Sequence, residues 1–483
     1  MLRLPSTATV FAAGLAGIMV VVVLAKGLTD PDFFTHVRTG QLIVETGQVP
    51  TTDPFSFTWG GEPWTLHEWL SEVVMYLLIT AVGVLPSLLL FGLVPGALLA
   101  ILLYALVRRG VPLRPVALAC VLAAWIFVPY VTIRPQAISW LLMAVLVTFL
   151  WSLDAARPKR ALWLIPLFVA WANVHGLWVV GLGVVALYVL FTVAGRTPMA
   201  GAGWRWIVAA FIGCLFAVML TPAGPAGVLY PLRYVDAGDW GLENIHEWQS
   251  PDFHSVAHWG LLTLILTLVA VGLRGGAPGW MGALTLLGLA MSLVSLRNAP
   301  LLAVWSVPVV AMSLAARWPA RLTPRPPPPS QIRPRRLMEA TTAVMVVVIS
   351  AVLVLPQTPA AHLDETVASQ FPEAPMDIVL AENPDARIMA EYGWGGYVIY
   401  RGYDSGARVF VDGRNDMYDQ SILDDYSAIR AADPGWEELL ASYEVEAMIW
   451  PTDVVLTRGL LDGTKWCEAF RDEDQVLYLH ECV

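Results

Sequence analysis

Charged side chains are scarce in this sequence. They make up 14% of its 483 residues, whereas hydrophobic residues make up 57% and tryptophan occupies 21 positions. Soluble globular domains carry charge on about 25% of their residues. The composition therefore excludes an ordinary soluble protein and indicates a chain that crosses a membrane many times.

Cysteine is also rare, with four in the chain. Cys120 and Cys214 lie inside apolar runs, which favours inert buried thiols. Cys467 and Cys482 lie in the polar carboxy-terminal region, where they would form a disulfide if that region faces an oxidising compartment. No CxxC and no Cys/His zinc spacing occurs, so the sequence offers no cysteine-based metal site.

A phosphate-cradling glycine-rich loop is missing as well. No such loop opens a predicted helix on the cytoplasmic side, which argues against a nucleotide-sugar as the direct substrate. The segment "GWGGY" at 393–397 is rich in glycine but lies between two strand-like segments, so we interpret it as a turn or a β-bulge.

Long apolar runs are what the chain has in abundance. A helix of about 20 apolar residues spans the hydrocarbon core of a bilayer. We predict eleven spans, at 8–25, 86–107, 112–131, 136–153, 161–174, 177–195, 204–220, 258–273, 279–296, 299–316 and 338–356.

Basic residues set the predicted orientation, because cytoplasmic loops are enriched in Lys and Arg. With the amino terminus in the cytoplasm, every inner loop is basic on balance, provided that 67–83 does not cross. Its short apolar stretch favours a juxtamembrane or re-entrant helix. We therefore expect an integral protein of the cytoplasmic (inner) membrane, with a transmembrane module at 1–356 and an extracytoplasmic loop at 26–85.

The carboxy-terminal region, 357–483, is polar and acidic. It holds 25 Asp and Glu against 8 Lys and Arg, a net charge of −17; the whole chain carries −10, so the remainder carries +7. Such an acidic surface argues against nucleic acid as a partner. We expect a mixed α/β domain outside the membrane, periplasmic or extracellular. Its predicted strands are "ARIMAEY", "GYVIYRG", "ARVFVDG", "EAMIWP" and "QVLYLHE".

Three basic or titratable residues fall at helix ends on the predicted outer side, against the positive-inside trend. They are Arg134 in "IRPQ", His175 in "WANVHG" and Arg297 in "SLRNAP". Charge near a bilayer is costly and usually faces a cavity or a partner. For each residue alone, interfacial anchoring is an equal alternative. The three together favour an anion-binding cluster, which would suit the phosphate of a lipid carrier.

Acidic residues gather in the first outer loop. Asp30 and Asp32 directly follow the first span, and His36 and Glu68 lie further along the same loop. Carboxylates can remove a proton from a hydroxyl nucleophile or hold a divalent cation such as Mg²⁺ or Mn²⁺. We expect a function for Asp30 and Asp32, and any such cation would bind there.

The layout resembles the GT-C superfamily of polytopic glycosyltransferases. "DFFTHVR", from Asp32 to Arg38, is similar to the Asp-Pro-x-Phe-Asn-Tyr-Arg segment of oligosaccharyltransferase catalytic subunits, although His36 replaces Asn. The segments "DPDFFTHVRTG", "WANVHG" and "RNAPLL" also resemble a group of bacterial glycosyltransferase-like membrane proteins.

The resemblance implies a GT-C-like fold and transfer of a sugar from a polyprenyl-phosphate donor to an extracytoplasmic glycan, lipid or protein. It gives Asp32 the role of general base or metal ligand, with Asp30 second and with His36 and Glu68 shaping the same site. The leaving lipid phosphate would be bound by Arg134, Arg297 and His175. The α/β domain would cap the site and select the acceptor through "VFVDGRNDMY", which contributes Asp412, Arg414 and Asp416.

Alternatives stay open at this point. Asp412 and Arg414 also fit a strand-end turn held by an Arg/Asp pair. A transporter or flippase of a lipid-linked sugar would explain polar residues at the membrane face, but internal repeats and midplane charges are not evident. A membrane-anchored binding protein would not need eleven spans.

Overall fold

The computed structural model describes residues 6–236, 238–272, 276–317, 329–354, 359–457 and 465–480. In chain order the helices are α1 (Thr7–Lys26), α2 (Phe33–Thr46), α3 (Trp69–Val82), α4 (Val84–Val107), α5 (Leu113–Phe127), α6 (Pro135–Trp151), α7 (Leu164–Val174), α8 (Trp178–Val193), α9 (Trp204–Ala217), α10 (Gly224–Asp236), α11 (Gly238–Asn244), α12 (Trp259–Val271), α13 (Gly279–Val294), α14 (Ala299–Arg317), α15 (Pro329–Val354), α16 (Pro359–Gln370), α17 (Glu373–Glu382), α18 (Gly395–Gly402), α19 (Gln420–Ala431) and α20 (Trp436–Ser442). The strands are β1 (Arg387–Ala390), β2 (Arg408–Val409), β3 (Ala447–Pro451), β4 (Trp466–Arg471) and β5 (Gln475–His480).

The chain folds into two compact units, each built from three segments. The first, which we call the membrane unit, comprises Met1–Gly27, Val84–Thr221 and His246–Pro359. The second, which we call the sheet unit, comprises Leu28–Gly83, Pro222–Ile245 and Ala360–Val483. The first loop therefore folds with the carboxy-terminal region.

Helices make up the membrane unit, as its apolar runs predict. Each of the eleven predicted spans corresponds to a helix in the described ranges: α1, α4 to α9, and α12 to α15. Among the described residues, the segments long and apolar enough to cross a membrane are Thr7–Lys26, Val84–Val107, Leu113–Tyr130, Leu296–Arg317 and Arg336–Leu353. The same residues include six further apolar helices of 10–17 residues. The protein is an integral membrane protein.

Burial distinguishes the central helix of the membrane unit from its lipid-facing ones. In the segment that contains α14, 78% of the apolar window is buried, and α14 packs against α5, α13 and α6. In α15 the corresponding value is 0%, so its apolar surface fits contact with lipid. The predicted inert thiols of Cys120 and Cys214 are free and buried within this unit.

A five-stranded mixed sheet forms the core of the sheet unit, in the order β2-β1-β3-β5-β4. Strand β1 pairs in parallel with β2 and β3, whereas β5 pairs antiparallel with β3 and β4. The central strands are buried on both faces, which explains their continuous apolar character. Cys467 in β4 is disulfide-bonded. Cys482, its predicted partner, lies outside the described residues.

The first loop extends this core. Ser56 forms a bridge with Val409 at the β2 edge of the sheet. On α2, the Phe34 ring lies 4.8 Å from that of Phe371 and 4.9 Å from that of Tyr397, in edge-to-face contacts. Such aromatic contacts stabilise the packing beyond the area they bury.

The predicted strand at "GYVIYRG" is wrong, because Gly395–Gly402 is helix α18. The interpretation of "GWGGY" as a turn or a β-bulge is wrong as well, because this segment runs from a short 3-10 helix into α18. A short apolar run fits either a strand or a buried helix, and tertiary packing decides. Here Gly396 allows α18 to approach α2 closely: a Cβ at this position would lie 2.6 Å from Pro31 O and 2.6 Å from Thr35 Oγ1.

Candidate functional site

The start of α2 presents the two aspartates predicted to be functional. Asp30 Oδ1 accepts a hydrogen bond from the Asp32 amide at 3.1 Å. Asp32 occupies the N-cap position of α2, but its side chain makes no capping bond. The carboxylate instead lies against Gly413, where any Cβ would overlap Asp32 Oδ1. The segment "VFVDGRNDMY" thus reaches the predicted catalytic aspartate, within the sheet unit.

One turn beyond Asp32, His36 lies between two glutamates of the α3 region. Its Nδ1 is 3.0 Å from Glu72 Oε1, and its Nε2 is 3.6 Å from Glu68 Oε2. Glu68 is the N-cap residue of α3 and Glu72 lies in its first turn, so both side chains project from one helix face. Glu72 is 2% exposed.

The negative charge of the surrounding carboxylates favours the protonated, cationic form of the His36 imidazole. Burial lowers the pKa of His36, but its hydrogen bond with Glu72 and the charges of Glu68, Glu72 and Asp32 outweigh burial and raise the pKa to about 9. The imidazole is therefore protonated at neutral pH when no other cation is bound.

His67 and Asp416 extend the cluster. His67 Nε2 is 3.3 Å from Glu68 Oε1, and its ring packs 4.6 Å from that of Tyr230. Burial raises the pKa of Asp416 to about 6; His67 opposes this shift, and the charges of Glu68 and Asp32 add to it. Asp416 Oδ2 is buried without a hydrogen-bond partner among the described residues. A proton on Asp416 would therefore exchange close to physiological pH.

Asp412 and Arg414, in the same segment as Asp416, form an ion pair with each other. Arg414 Nη2 donates to Asp412 Oδ2 at 2.6 Å, and its Nη1 donates to Asp53 Oδ1 at 2.8 Å. The guanidinium also packs 4.6 Å from the Trp64 ring centroid. The Tyr418 hydroxyl donates to Asp412 Oδ2 at 2.6 Å. This buried network links the first loop to the segment after β2, as expected for the Arg/Asp turn.

In the membrane unit, the three predicted phosphate-binding residues converge on Glu247. Arg134 Nη1 is 3.1 Å from Glu247 Oε2, and Arg297 Nε is 3.9 Å from Glu247 Oε1. Burial raises the pKa of Glu247, but Arg134, Arg297 and His175 outweigh burial and hold it below its usual range. His175 Nδ1 accepts the Leu177 amide at 3.1 Å, which leaves Nε2 to carry a proton.

Two functional candidates were missed by sequence reasoning. Glu72 was not singled out, although the spacing of "HEWLSE" places Glu68 and Glu72 one helical turn apart. His67 was not singled out either, although it directly precedes Glu68. Helical periodicity alone could have paired the two glutamates, but their approach to His36 depends on how α2 packs against α3.

A cation at Asp30 and Asp32 would need further donors. Among the described residues, the group of three His or carboxylate ligands lying within 4.8 Å of one another is His36, Glu68 and Glu72. Asp30 and Asp32 are not in that group, and Asp30 Oδ1 accepts the Asp32 amide. The donors suited to a metal are therefore centred on His36, one turn of α2 beyond Asp32, and not on the predicted pair Asp30 and Asp32.

Known proteins resemble the chain in fold but not in sequence. No protein-family profile and no curated protein matches it. ArnT from Cupriavidus metallidurans, solved with undecaprenyl phosphate, is 14% identical and gives a TM-score of 0.55 over 97% of each chain. The archaeal oligosaccharyltransferase AglB from Archaeoglobus fulgidus, solved with an inhibitory peptide and a dolichol-phosphate, is 9% identical and gives 0.54 over 92% of this chain and 69% of AglB.

A third similar structure is much longer. This chain spans 41% of the arabinofuranosyltransferase AftD from mycobacteria, at 13% identity and a TM-score of 0.49. At these identities, the similarity to ArnT and AglB shows the fold alone.

Proposed function

We propose that this chain, which has the GT-C-like fold of polytopic membrane glycosyltransferases, transfers a sugar from a polyprenyl-phosphate donor to an extracytoplasmic acceptor. The observation that carries the proposal is a pair of charge clusters at helix ends. One is acidic and surrounds the start of α2, and the other is basic and surrounds Glu247. A glycosyl transfer needs both a base for the acceptor and cations for the leaving phosphate.

Asp32 is the proposed general base. Its carboxylate lies at the start of α2, against Gly413 of the segment that carries Asp416. The ionised carboxylate takes the proton of the acceptor nucleophile as that nucleophile attacks the anomeric carbon. Asp30, which fixes the Asp32 amide, is a positioning residue, and a cation at Asp30 and Asp32 stays a prediction.

Arg134 and Arg297, with His175, are proposed to bind the donor phosphate. Two guanidinium groups face one carboxylate, so the cluster keeps a net positive charge with Glu247 ionised. The arginine side chains are 21% and 33% exposed, so a phosphate can reach them. ArnT was solved with undecaprenyl phosphate and AglB with a dolichol-phosphate, and both ligands support a polyprenyl-phosphate carrier.

The acceptor side is proposed to involve Asp416, whose buried oxygen lies in the electrostatic range of Asp32 and Glu68. Asp412 and Arg414 would hold the segment that carries Asp416. The proposed orientation follows the loop charges, with the amino terminus cytoplasmic, the sheet unit extracytoplasmic and the protein in the inner membrane.

Turnover by the purified chain tests this function. The full-length protein in nanodiscs is supplied with polyprenyl-phosphate sugars and candidate acceptors, and release of the polyprenyl phosphate is measured. Asp32→Asn should lower kcat by about 10²–10⁴-fold. Asp424→Asn, at an exposed acid of α19, should leave kcat unchanged.

Binding of the carrier tests the basic cluster without any turnover. Arg134→Ala and Arg297→Ala should each weaken undecaprenyl-phosphate binding by roughly tenfold. Arg205→Ala, at an exposed arginine of the membrane unit, is the matched control.

Full turnover by Asp32→Asn would rule out its role as base. Movement of intact lipid-linked sugar across the bilayer without cleavage would favour a flippase.

A further inference from the structure

His36, Glu68 and Glu72 form a group with the geometry of metal ligands. One donor atom from each lies within 4.8 Å of the others. His36 Nδ1 and Glu72 Oε1 are 3.0 Å apart, and His36 Nε2 and Glu68 Oε2 are 3.6 Å apart. Ligands on a tetrahedral zinc ion, at about 2.1 Å from the metal, lie about 3.4 Å from one another. Because an imidazole binds one ion through a single nitrogen, the His36 ring would have to turn so that this nitrogen faces both carboxylates, whose donor atoms lie within 4.8 Å of it.

An unpartnered oxygen of the Glu72 carboxylate is a second observation that favours a cation at this group. Glu72 is 2% exposed, and its carboxylate points at the His36 ring through Oε1. Its Oε2 is buried without a hydrogen-bond partner among the described residues. A buried ionised carboxylate is costly unless it is paired or bound to a metal.

The donor types select among cations. Mg²⁺ and Ca²⁺ take oxygen ligands, whereas an imidazole combined with carboxylates suits Zn²⁺ and neighbouring transition metals. His67 Nε2, 3.3 Å from Glu68 Oε1, places a second imidazole beside the group. His67 adjoins the group through Glu68 and is not one of the three residues whose donor atoms lie within 4.8 Å of one another.

We propose that His36, Glu68 and Glu72 bind one Zn²⁺ ion, which links the beginning of α2 to the beginning of α3. The ligands differ from Asp30 and Asp32, and the site stands whether or not the chain transfers sugar. Because His36 lies one turn beyond Asp32, the ion would also fix the segment that carries Asp32.

Metal binding by the purified protein tests the site directly. Full-length protein is stripped with a chelator and dialysed against ZnCl₂ or MgCl₂, and bound metal is measured by elemental analysis. We expect one zinc per chain, a raised midpoint of thermal unfolding, and no magnesium at the same concentration. Glu72→Gln and Glu68→Gln should each weaken zinc binding by roughly tenfold or more. Glu45→Gln, an exposed residue near the other end of α2, should bind as the wild type does.

A spectroscopic readout assigns the imidazole. Co²⁺ substituted for zinc should give visible d–d bands that change in His36→Asn and persist in Glu45→Gln. If Glu72→Gln does not fold, the site is tested through Glu68→Gln alone, because the Glu68 side chain is 13% exposed and the substitution leaves the buried Glu72 in place. Absence of stoichiometric zinc in the folded wild type, equal zinc affinity in all variants, or equally tight magnesium binding would each overturn the assignment.

Discussion

At the residue scale, Glu247 sets the charge that a ligand meets in the basic cluster. Its carboxylate neutralises one of the two arginines that face it. A phosphate that approaches the arginines is repelled by Glu247 as long as Glu247 is ionised. Because its pKa is lowered, Glu247 is ionised at neutral pH and stays ionised at pH values below the usual pKa of a glutamate.

Glu247→Gln should therefore bind polyprenyl phosphate more tightly. Removal of one partly screened like-charge repulsion is worth about 1 kcal/mol, which is roughly a fivefold gain in affinity. The gain should shrink at high salt. Binding of undecaprenyl phosphate is measured by fluorescence titration, with Asp252→Asn as an exposed control from the same loop. Weaker binding by Glu247→Gln would mean that Glu247 mainly orients the arginines.

Asp412 illustrates a structural role for a charged residue. Burial raises its pKa, but Arg414 and the Tyr418 hydroxyl outweigh burial and hold the pKa below its usual range. A group whose pKa is lower in the folded state than in the unfolded state stabilises the fold at pH values above its unfolded-state pKa, which is near 4 for Asp. This stabilisation is lost as the pH falls through the folded-state pKa.

Asp412→Asn should destabilise the protein by about 3–5 kcal/mol at neutral pH, because it leaves the Arg414 charge buried without its main partner. The difference from wild type should narrow below about pH 4, where Asp412 of the unfolded chain takes up a proton, and should be smallest once the pH falls through the lower folded-state pKa. Urea unfolding at several pH values measures both effects. Asp424→Asn should change stability by less than about 0.5 kcal/mol. An equal loss in the two variants would contradict a buried pair.

At the element scale, the contact between α2 and α18 decides where Asp32 lies. Gly396→Ala should destabilise the protein by about 1–3 kcal/mol, because its Cβ would lie 2.6 Å from both Pro31 O and Thr35 Oγ1. The shift of Pro31 should also lower turnover. Gly393→Ala is the matched control, since its nearest neighbour would be Pro31 Cβ at 3.9 Å. Thermal unfolding and turnover of the two variants are compared, and equal behaviour would exclude this close contact.

A helix or strand could be predicted where its residue pattern fits only one type of secondary structure. Eleven apolar runs are helices, and in the described residues five segments are long and apolar enough to cross a membrane, where only a helix satisfies the backbone. The strand at Ala447–Pro451 was predicted, whereas the helix at Gly395–Gly402 was not, because its short apolar run fits both. Arg134, His175 and Arg297 were singled out from helix ends. The contact of Glu72 with His36 depends on packing between two helices, which periodicity does not contain.

At the scale of the whole molecule, the sheet unit depends on segments far apart in sequence. The division at residue 356 expected from composition does not show that the first loop packs with the carboxy-terminal region. Composition reports which segments are polar, but not which polar segments share a core. Phe34 against Phe371 and Ser56 beside Val409 are such shared contacts.

Deletion of residues 360–483 should therefore expose the first loop. Without β2, the Phe57 amide loses its acceptor Val409 O, and Arg38 loses Asp404. Amide hydrogen exchange should rise by at least about 100-fold in 53–58 and α2, whereas α14 should keep its protection within the same sample. Unchanged protection of the first loop would show that it folds without the carboxy-terminal segment.

Arg38 and Asp404 are 366 residues apart, so the ribosome makes the two partners of this ion pair at different times. At about 5–20 residues per second, a ribosome needs roughly 20–70 s to make the second partner after the first. During this delay, the first loop is already made but lacks the strands that complete its fold. Completion of the sheet unit thus follows synthesis of the apolar helices, and Asp416 joins the acidic cluster around His36 only then.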